Sequence, residues 1–338
     1  ILDAMTGKRI KKLIKGNRTV DFEELKWLQP GISWSPDNKK IVLAAKAGKG
    51  DVLHIIDIET KKGEKYELDI DGVFSAAWSP TNNEIAFVGQ SGKSSDIYIF
   101  NLDDKSTRNI TNDIFSDAYP SWNSDGTQIA FVSDRGDYVS GDYNGFMQNH
   151  NYSQTDIYIV NIENQFIKRL TNTSYNESHP VWANTSNHLF YTSDYNGVWN
   201  LFIHPLDNLS QETSSLNKPH AVTNVLTGLQ QPTLSEDDKL LIFAGYSGIG
   251  WDLYSMVNPL KLKKQDIEPT QFVKNNEDAT SSIADLRKHK SLLNPEFGEK
   301  NIYSNWIFAR GYQNFNSTVN KENVSEEILS IDSLKVDG

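Results

Sequence analysis

Apolar and polar residues alternate in short runs along most of the chain, and each run is bounded by Ser, Pro, Asp, Asn or Gly. Five segments align: ISWSPDNKKIVLAA (32–45), AAWSPTNNEIAFVG (76–89), PSWNSDGTQIAFVS (120–133), PVWANTSNHLFYTS (180–193) and PTLSEDDKLLIFAG (232–245). Each has an anchor (Trp34, Trp78, Trp122, Trp182 or Leu234), then a polar turn, then a β-branched and aromatic run. Alternation over so few residues predicts half-buried strands rather than helices.

A second signature follows each segment: DVLHIIDI (51–58), DIYIFNL (96–102), DIYIVNI (156–162), WNLFIHPL (199–206) and WDLYSM (251–256). A third closes three units: RNITN (108–112), KRLTN (168–172) and HAVTN (220–224). The unit is therefore four short strands, a to d, repeated at anchor spacings of 44, 44, 60 and 52 residues. Four-stranded units at this period predict an all-β protein, a β-propeller. The expected blades are 29–70, 71–112, 113–172, 173–224 and 225–274. A single blade cannot bury both of its faces, so Trp34, Trp78, Trp122 and Trp182 are expected to fill the spaces between blades.

The opening residues, 1–28, look like the end of a preceding blade and a linker, which gives five full blades and one partial blade of an expected six-bladed ring. Residues 275–338 do not continue the repeat and are expected to be a poorly structured tail or the start of another domain. The chain begins at Ile1 and not at Met, so it is expected to be part of a longer chain. The 32 Asn residues fit a fold with many tight turns. A net charge of −11 argues against a nucleic-acid partner, which requires a dense basic face. No run is long and apolar enough for a membrane-spanning helix, so no direct membrane insertion is expected. With no cysteine, thiol catalysis and Cys-ligated zinc are excluded.

In an antiparallel blade the a–b turns lie on one face, and the b–c and d–a loops lie on the other. The a–b turns repeat and read as structural. The b–c/d–a face varies, which makes it the expected binding face. In the third blade the b–c connection, from Asp134 to Asp156, is about 16 residues longer than its counterparts. The candidate binding residues are Asp117, Asp134, Arg135, Asp137, Tyr138, Asp142, Tyr143, Phe146, His150, His179 and Asp194. Aromatic side chains among adaptable polar ones suit protein or peptide recognition. The alternative is a loop whose aromatics fold back on the blade.

No catalytic residue is assigned. GYSGIG (245–250) lacks the second glycine of a nucleophile elbow and precedes no helix. No HExxH, P-loop or GxGxxG occurs. No cofactor and no metal are expected, Ca²⁺ on converging Asp side chains being the minor alternative. His179, at the expected channel mouth, is the histidine placed to act as a base or ligand.

The pattern WSPD…IAF…DIY…N(L/I)…LT closely resembles the WD40-like repeats of TolB-type six-bladed propellers, over roughly residues 29–274. The opening segment also looks like the propeller part of exported bacterial proteins with a metallopeptidase-like domain upstream. The resemblance implies a periplasmic or outer-membrane-associated location, a protein or peptide partner in the cell envelope and a non-catalytic role. Similar repeats form the gating propeller of prolyl-oligopeptidase-type hydrolases and the body of metal-dependent propeller lyases, which supplies the enzyme alternative.

Overall fold

A computed structural model describes residues 1–14, 24–25, 31–47, 50–92, 94–139, 150–206, 218–248 and 250–274. The chain divides into two compact units, Ile1–Thr270 and Gln271–Gly338. In the second, residues 271–274 are described and form one helical turn. The expected tail, 275–338, lies outside the described residues.

The first unit is a series of antiparallel sheets in chain order. Blade one holds β1 (Glu24–Leu25), β2 (Ile32–Trp34), β3 (Lys40–Ala47), β4 (Gly50–Asp57) and β5 (Gly63–Glu67). Blade two holds β6 (Gly72–Trp78), β7 (Glu84–Ser91), β8 (Ser94–Asn101) and β9 (Thr107–Asn109). Blade three holds β10 (Asp117–Trp122), β11 (Gln128–Ser133), β12 (Asp156–Asn161) and β13 (Ile167–Arg169). Blade four holds β14 (Glu177–Trp182), β15 (His188–Ser193), β16 (Asn200–Pro205) and β17 (His220–Ala221). Blade five holds β18 (Leu229–Leu234), β19 (Leu240–Ser247) and β20 (Gly250–Val257). The architecture is the all-β propeller that the repeat predicts, with five blades seen.

The anchors explain the stacking. Trp78 packs against Val42, Ala44, Leu53 and Ile55 of blade one. Trp122 packs on Ala86, Val88, Ile97 and Ile99 of blade two, and Trp182 on Ala130, Val132, Ile157 and Ile159 of blade three. Two indoles also bridge blades by a hydrogen bond: Trp122 Nε1 donates to Ala77 O at 3.0 Å, and Trp182 Nε1 to Ser121 O at 3.1 Å. Burying such a side chain between sheets stabilises by roughly 2–3 kcal/mol. Trp34 differs from the expectation for a blade anchor, being 45% exposed. An anchor is buried by the blade that precedes it, and no described sheet precedes blade one. Residues 1–14 instead form a hairpin with a Leu2–Arg9 bridge, and Leu13 and Ile14 pack on Ile41, Leu43 and Ile56.

Strand d is tied on by a clamp that recurs in three blades. Ile97 N–H donates to Thr111 Oγ1 at 3.0 Å, and its carbonyl accepts from Ile110 N–H at 2.8 Å. Ile157 does the same with Thr171 and Leu170, each at 2.8 Å. Leu201 does so with Thr223 and Val222, each at 2.9 Å. The LTN-type triplet is thus read by strand c of its own blade. The a–b turns are self-bonded: Ser35 Oγ donates to Asp37 at 2.6 Å and Ser235 Oγ to Asp237 at 2.7 Å.

Four strands a carry a bulge at one position, three residues before the anchor, where Ser75, Tyr119, His179 and Gln231 have φ of 48°, 53°, 49° and 54°. The left-handed backbone costs an L-residue about 1–2 kcal/mol. Bulges re-aim side chains, here toward the centre of the ring. Gly31 occupies this rank in blade one, where a Cβ would lie 2.3 Å from Ala76 N.

Candidate functional site

The strands a of all five blades line a central cavity of about 690 Å³. Tyr119 and His179 meet in its wall, ring centroids 4.2 Å apart. Burial pushes the His179 imidazole down to about 4, so it is neutral at physiological pH. Its Nδ1 lies 3.5 Å from Thr192 Oγ1.

The b–c/d–a face of blades two and three carries a dense polar cluster. Arg135 follows β11, and its side chain is 1% exposed. It donates through Nη2 to both oxygens of Asp117 at 2.7 and 2.8 Å, through Nη1 to Asp113 at 2.9 Å, and through Nε to Ser133 Oγ at 3.0 Å. The guanidinium also lies over Phe131, Tyr158 and Phe115, 5.1, 5.5 and 5.8 Å from their centroids. Asp96, Asp113 and Asp117 converge here, with ligand atoms within 4.8 Å of one another. Arg135 supplies their counter-charge. Burial and the neighbouring Asp117 charge push Asp113 up to about 6, against the pull of Arg135. Asp117 and Arg135 therefore lie beneath the candidate face and shape it, engaged with each other.

Above them sits an aromatic shelf. Phe115 stacks on Tyr138 at 5.7 Å and meets His150 at 5.3 Å, and His150 meets Tyr152 edge-on at 4.7 Å. His150 Nε2 is 3.4 Å from Asp134, which also accepts Ser116 N–H at 2.9 Å. Burial raises the Asp134 carboxyl above its ordinary range. Tyr138 and Tyr152 remain exposed. Asp137 projects into solvent and pairs with Arg169, whose other nitrogen holds Asp156 at 2.6 Å. Asp194 caps the start of blade four, accepting Asn176 N–H at 2.8 Å. Asp142, Tyr143 and Phe146 lie outside the described residues.

Two features escape the sequence reading. Glu177 is buried at the start of β14, accepts from Thr173 at 2.6 Å and Thr171 at 3.2 Å, and is pushed up to about 8, chiefly by burial. It stands five residues before its anchor, as Asp117 does, and that rank is the signal that could have found it. Tyr175 and Tyr195 pair at 4.7 Å on blade four.

Residues 19–139 match the family model of the TolB beta propeller domain, PD40. No curated protein matches the chain. Among solved structures it is similar to a putative TolB from Agrobacterium tumefaciens, with TM-score 0.55 and 18% identity over 68% of this chain and 77% of that one. TolB from Acinetobacter baumannii is similar at TM-score 0.53 and 18% identity, over 68% of this chain and 51% of that one. The chain thus spans about half the length of the Acinetobacter protein. An oligogalacturonate lyase in complex with manganese is similar at TM-score 0.50 and 12% identity, over 70% of this chain and 63% of that one. At these identities the likeness is one of fold, and the fold is a TolB-like β-propeller.

Proposed function

We propose that the chain is a non-catalytic β-propeller module that binds a protein or peptide in a bacterial cell envelope. The observation that carries this reading is the aromatic shelf on blade three. Tyr138 and Tyr152 are presented to solvent on a base of Phe115 and His150. Aromatic side chains on a rigid base, ringed by polar groups, supply binding area at little entropic cost. The charged groups below the shelf engage one another, Arg135 with Asp113 and Asp117. That pattern supports a scaffold more than a reaction centre. The likeness to TolB structures supports an exported location and a protein partner.

The test is quantitative recovery of partners from an envelope fraction by the wild-type chain and by a Tyr138→Ala/Tyr152→Ala variant. Both side chains are exposed, so folding is preserved and partner recovery falls. Equal recovery by both proteins removes the shelf from the function.

The enzyme reading keeps one observation, His179 in the wall of the central cavity. A neutral imidazole can ligate a metal, but a base depressed to about 4 is weak at pH 7. Polyuronate cleavage with added manganese, lost on His179→Ala, would replace the binding reading with a lyase.

A further inference from the structure

Blade five keeps a strand c built to receive a strand d, and among the described residues none arrives. In β20 the residues Asp252, Leu253 and Tyr254 repeat the DIY of β8 and β12. Register fixes the equivalence. Ile97, Ile157, Leu201 and Leu253 pair with Val88, Val132, Thr192 and Ala244, each ten residues after its anchor. The first three each hold a strand d through the threonine clamp. Leu253 makes neither bond among the described residues. It is 67% exposed, whereas the other three are fully buried. Trp251 and Val257 are exposed beside it.

Among the described residues the chain does not fill this place itself. After β20 it turns at Pro259–Lys261 and runs back over blade four. Gln265 N–H donates to Ala221 O at 2.9 Å, and Thr270 N–H to Asn196 O at 3.0 Å.

We infer that the open edge of β20 takes an extended segment of a partner polypeptide, carrying an Ile/Leu/Val-Thr-Asn triplet, as the fourth strand of blade five. Strand addition gives affinity through main-chain bonds and specificity through alternate side chains. The Leu253 backbone would bond the threonine hydroxyl and the amide of the residue before it, as Ile157 does. The apolar residue of the triplet would cover the Leu253 side chain.

Three arguments choose a partner over a second copy. The chain has three such triplets, at 110–112, 170–172 and 222–224. All three are already built into blades two to four, so lending one would open the lender's own blade. No such triplet occurs in 275–338. A net charge of −11 also opposes self-association and favours a partner segment with basic flanks. An exposed eight-residue edge with a single charge, Asp252 in β20, invites pairing unless a partner covers it. The inference goes beyond the aromatic shelf and stands on a different surface.

The probe is a fluorescein-labelled nonapeptide, NQFIKRLTN, the sequence of residues 164–172, with a scrambled peptide as control. Fluorescence anisotropy with the full chain should show saturable binding, accompanied by slowed hydrogen exchange at the Leu253 amide. Leu253→Asp, at a solvent-exposed position, should weaken binding at least about tenfold and leave the fold intact. Changing the peptide's threonine to alanine should weaken it as well. Binding no tighter than that of the scrambled peptide, or binding indifferent to Leu253→Asp, overturns the inference. So does a dimer in sedimentation that Leu253→Asp dissolves, because the occupant is then a second copy. Tyr138→Ala/Tyr152→Ala should leave peptide binding unchanged, which separates failure here from failure of the shelf.

Discussion

Arg135 and Asp117 form a two-point ion pair, at 2.7 and 2.8 Å, with neither side chain more than 1% exposed. The pair joins the end of β11 to the start of β10, and Nη1 of Arg135 carries it on to Asp113 in the d–a connection. One cation thus fixes the floor of the aromatic shelf.

Removing that cation leaves buried carboxylates unpaired. Arg135→Met should lower unfolding stability by about 3–5 kcal/mol, the cost of breaking a buried pair from one side. Urea denaturation of wild type, Arg135→Met, Asp117→Asn and the double variant measures it. The double variant should lose less than the sum of the singles. An Arg135→Met protein within about 1 kcal/mol of wild type would show that the pair does not hold the site.

Glu177 makes stability depend on pH. Its folded value, about 8, lies above the ordinary 4.5, so the fold favours the neutral carboxyl. The stability it lends is full below about 4.5 and is lost as pH rises through about 8. Glu177→Gln should flatten the decline between pH 5 and pH 9. At pH 9 the variant should exceed wild type by roughly 1–3 kcal/mol, read from urea midpoints. Parallel pH profiles for the two proteins would refute the assignment.

The blades were legible in the sequence because Trp78, Trp122 and Trp182 recur with the polar turn and the DIY and LTN signatures, and local chemistry alone builds each strand. What a residue touches was less legible. Trp34 reads the same as the other anchors, yet its burial depends on a neighbour that alignment cannot supply. Asp117 and Arg135 read as surface charges because nothing local shows that β10 and β11 bring them face to face beneath Phe115. The pairing of His150 with Asp134 closes a long connection, and loop closure is not written in periodicity. Glu177 precedes SHPVW, where His179 draws the eye, and only its rank before Trp182 aligns it with Asp117.

The threonine clamp should be worth measuring in blade three. Thr171 Oγ1 accepts from Ile157 N–H at 2.8 Å and donates to Glu177 at 3.2 Å. Thr171→Val keeps the shape and orphans a buried amide, at a cost of about 1–3 kcal/mol. Thr171→Ser keeps the hydroxyl and should lose only the packing of one buried methyl, about 0.5–1.5 kcal/mol. Hydrogen exchange at Ile157 should quicken in the valine variant alone. Loss in the serine variant alone, with the valine variant unchanged, would assign the effect to the methyl group and not to the bond.

The bulge that rings the cavity makes a backbone prediction. Gln231 has φ of 54° and an exposed side chain, so a substitution there tests conformation with little packing change. Asn tolerates the left-handed region and Val does not. Gln231→Val should cost about 1–2 kcal/mol, while Gln231→Asn should be close to neutral. Gly31 sits at the same rank for a different reason: its Cβ would meet Ala76 N at 2.3 Å, and that neighbour is backbone. Gly31→Ala should therefore part blades one and two and cost about 1–3 kcal/mol, the range of overpacking. Thermal unfolding of the three variants orders them. If Gln231→Val melts with wild type, the bulges carry no strain, and the alignment of Ser75, Tyr119, His179 and Gln231 around the cavity follows from strand pairing alone.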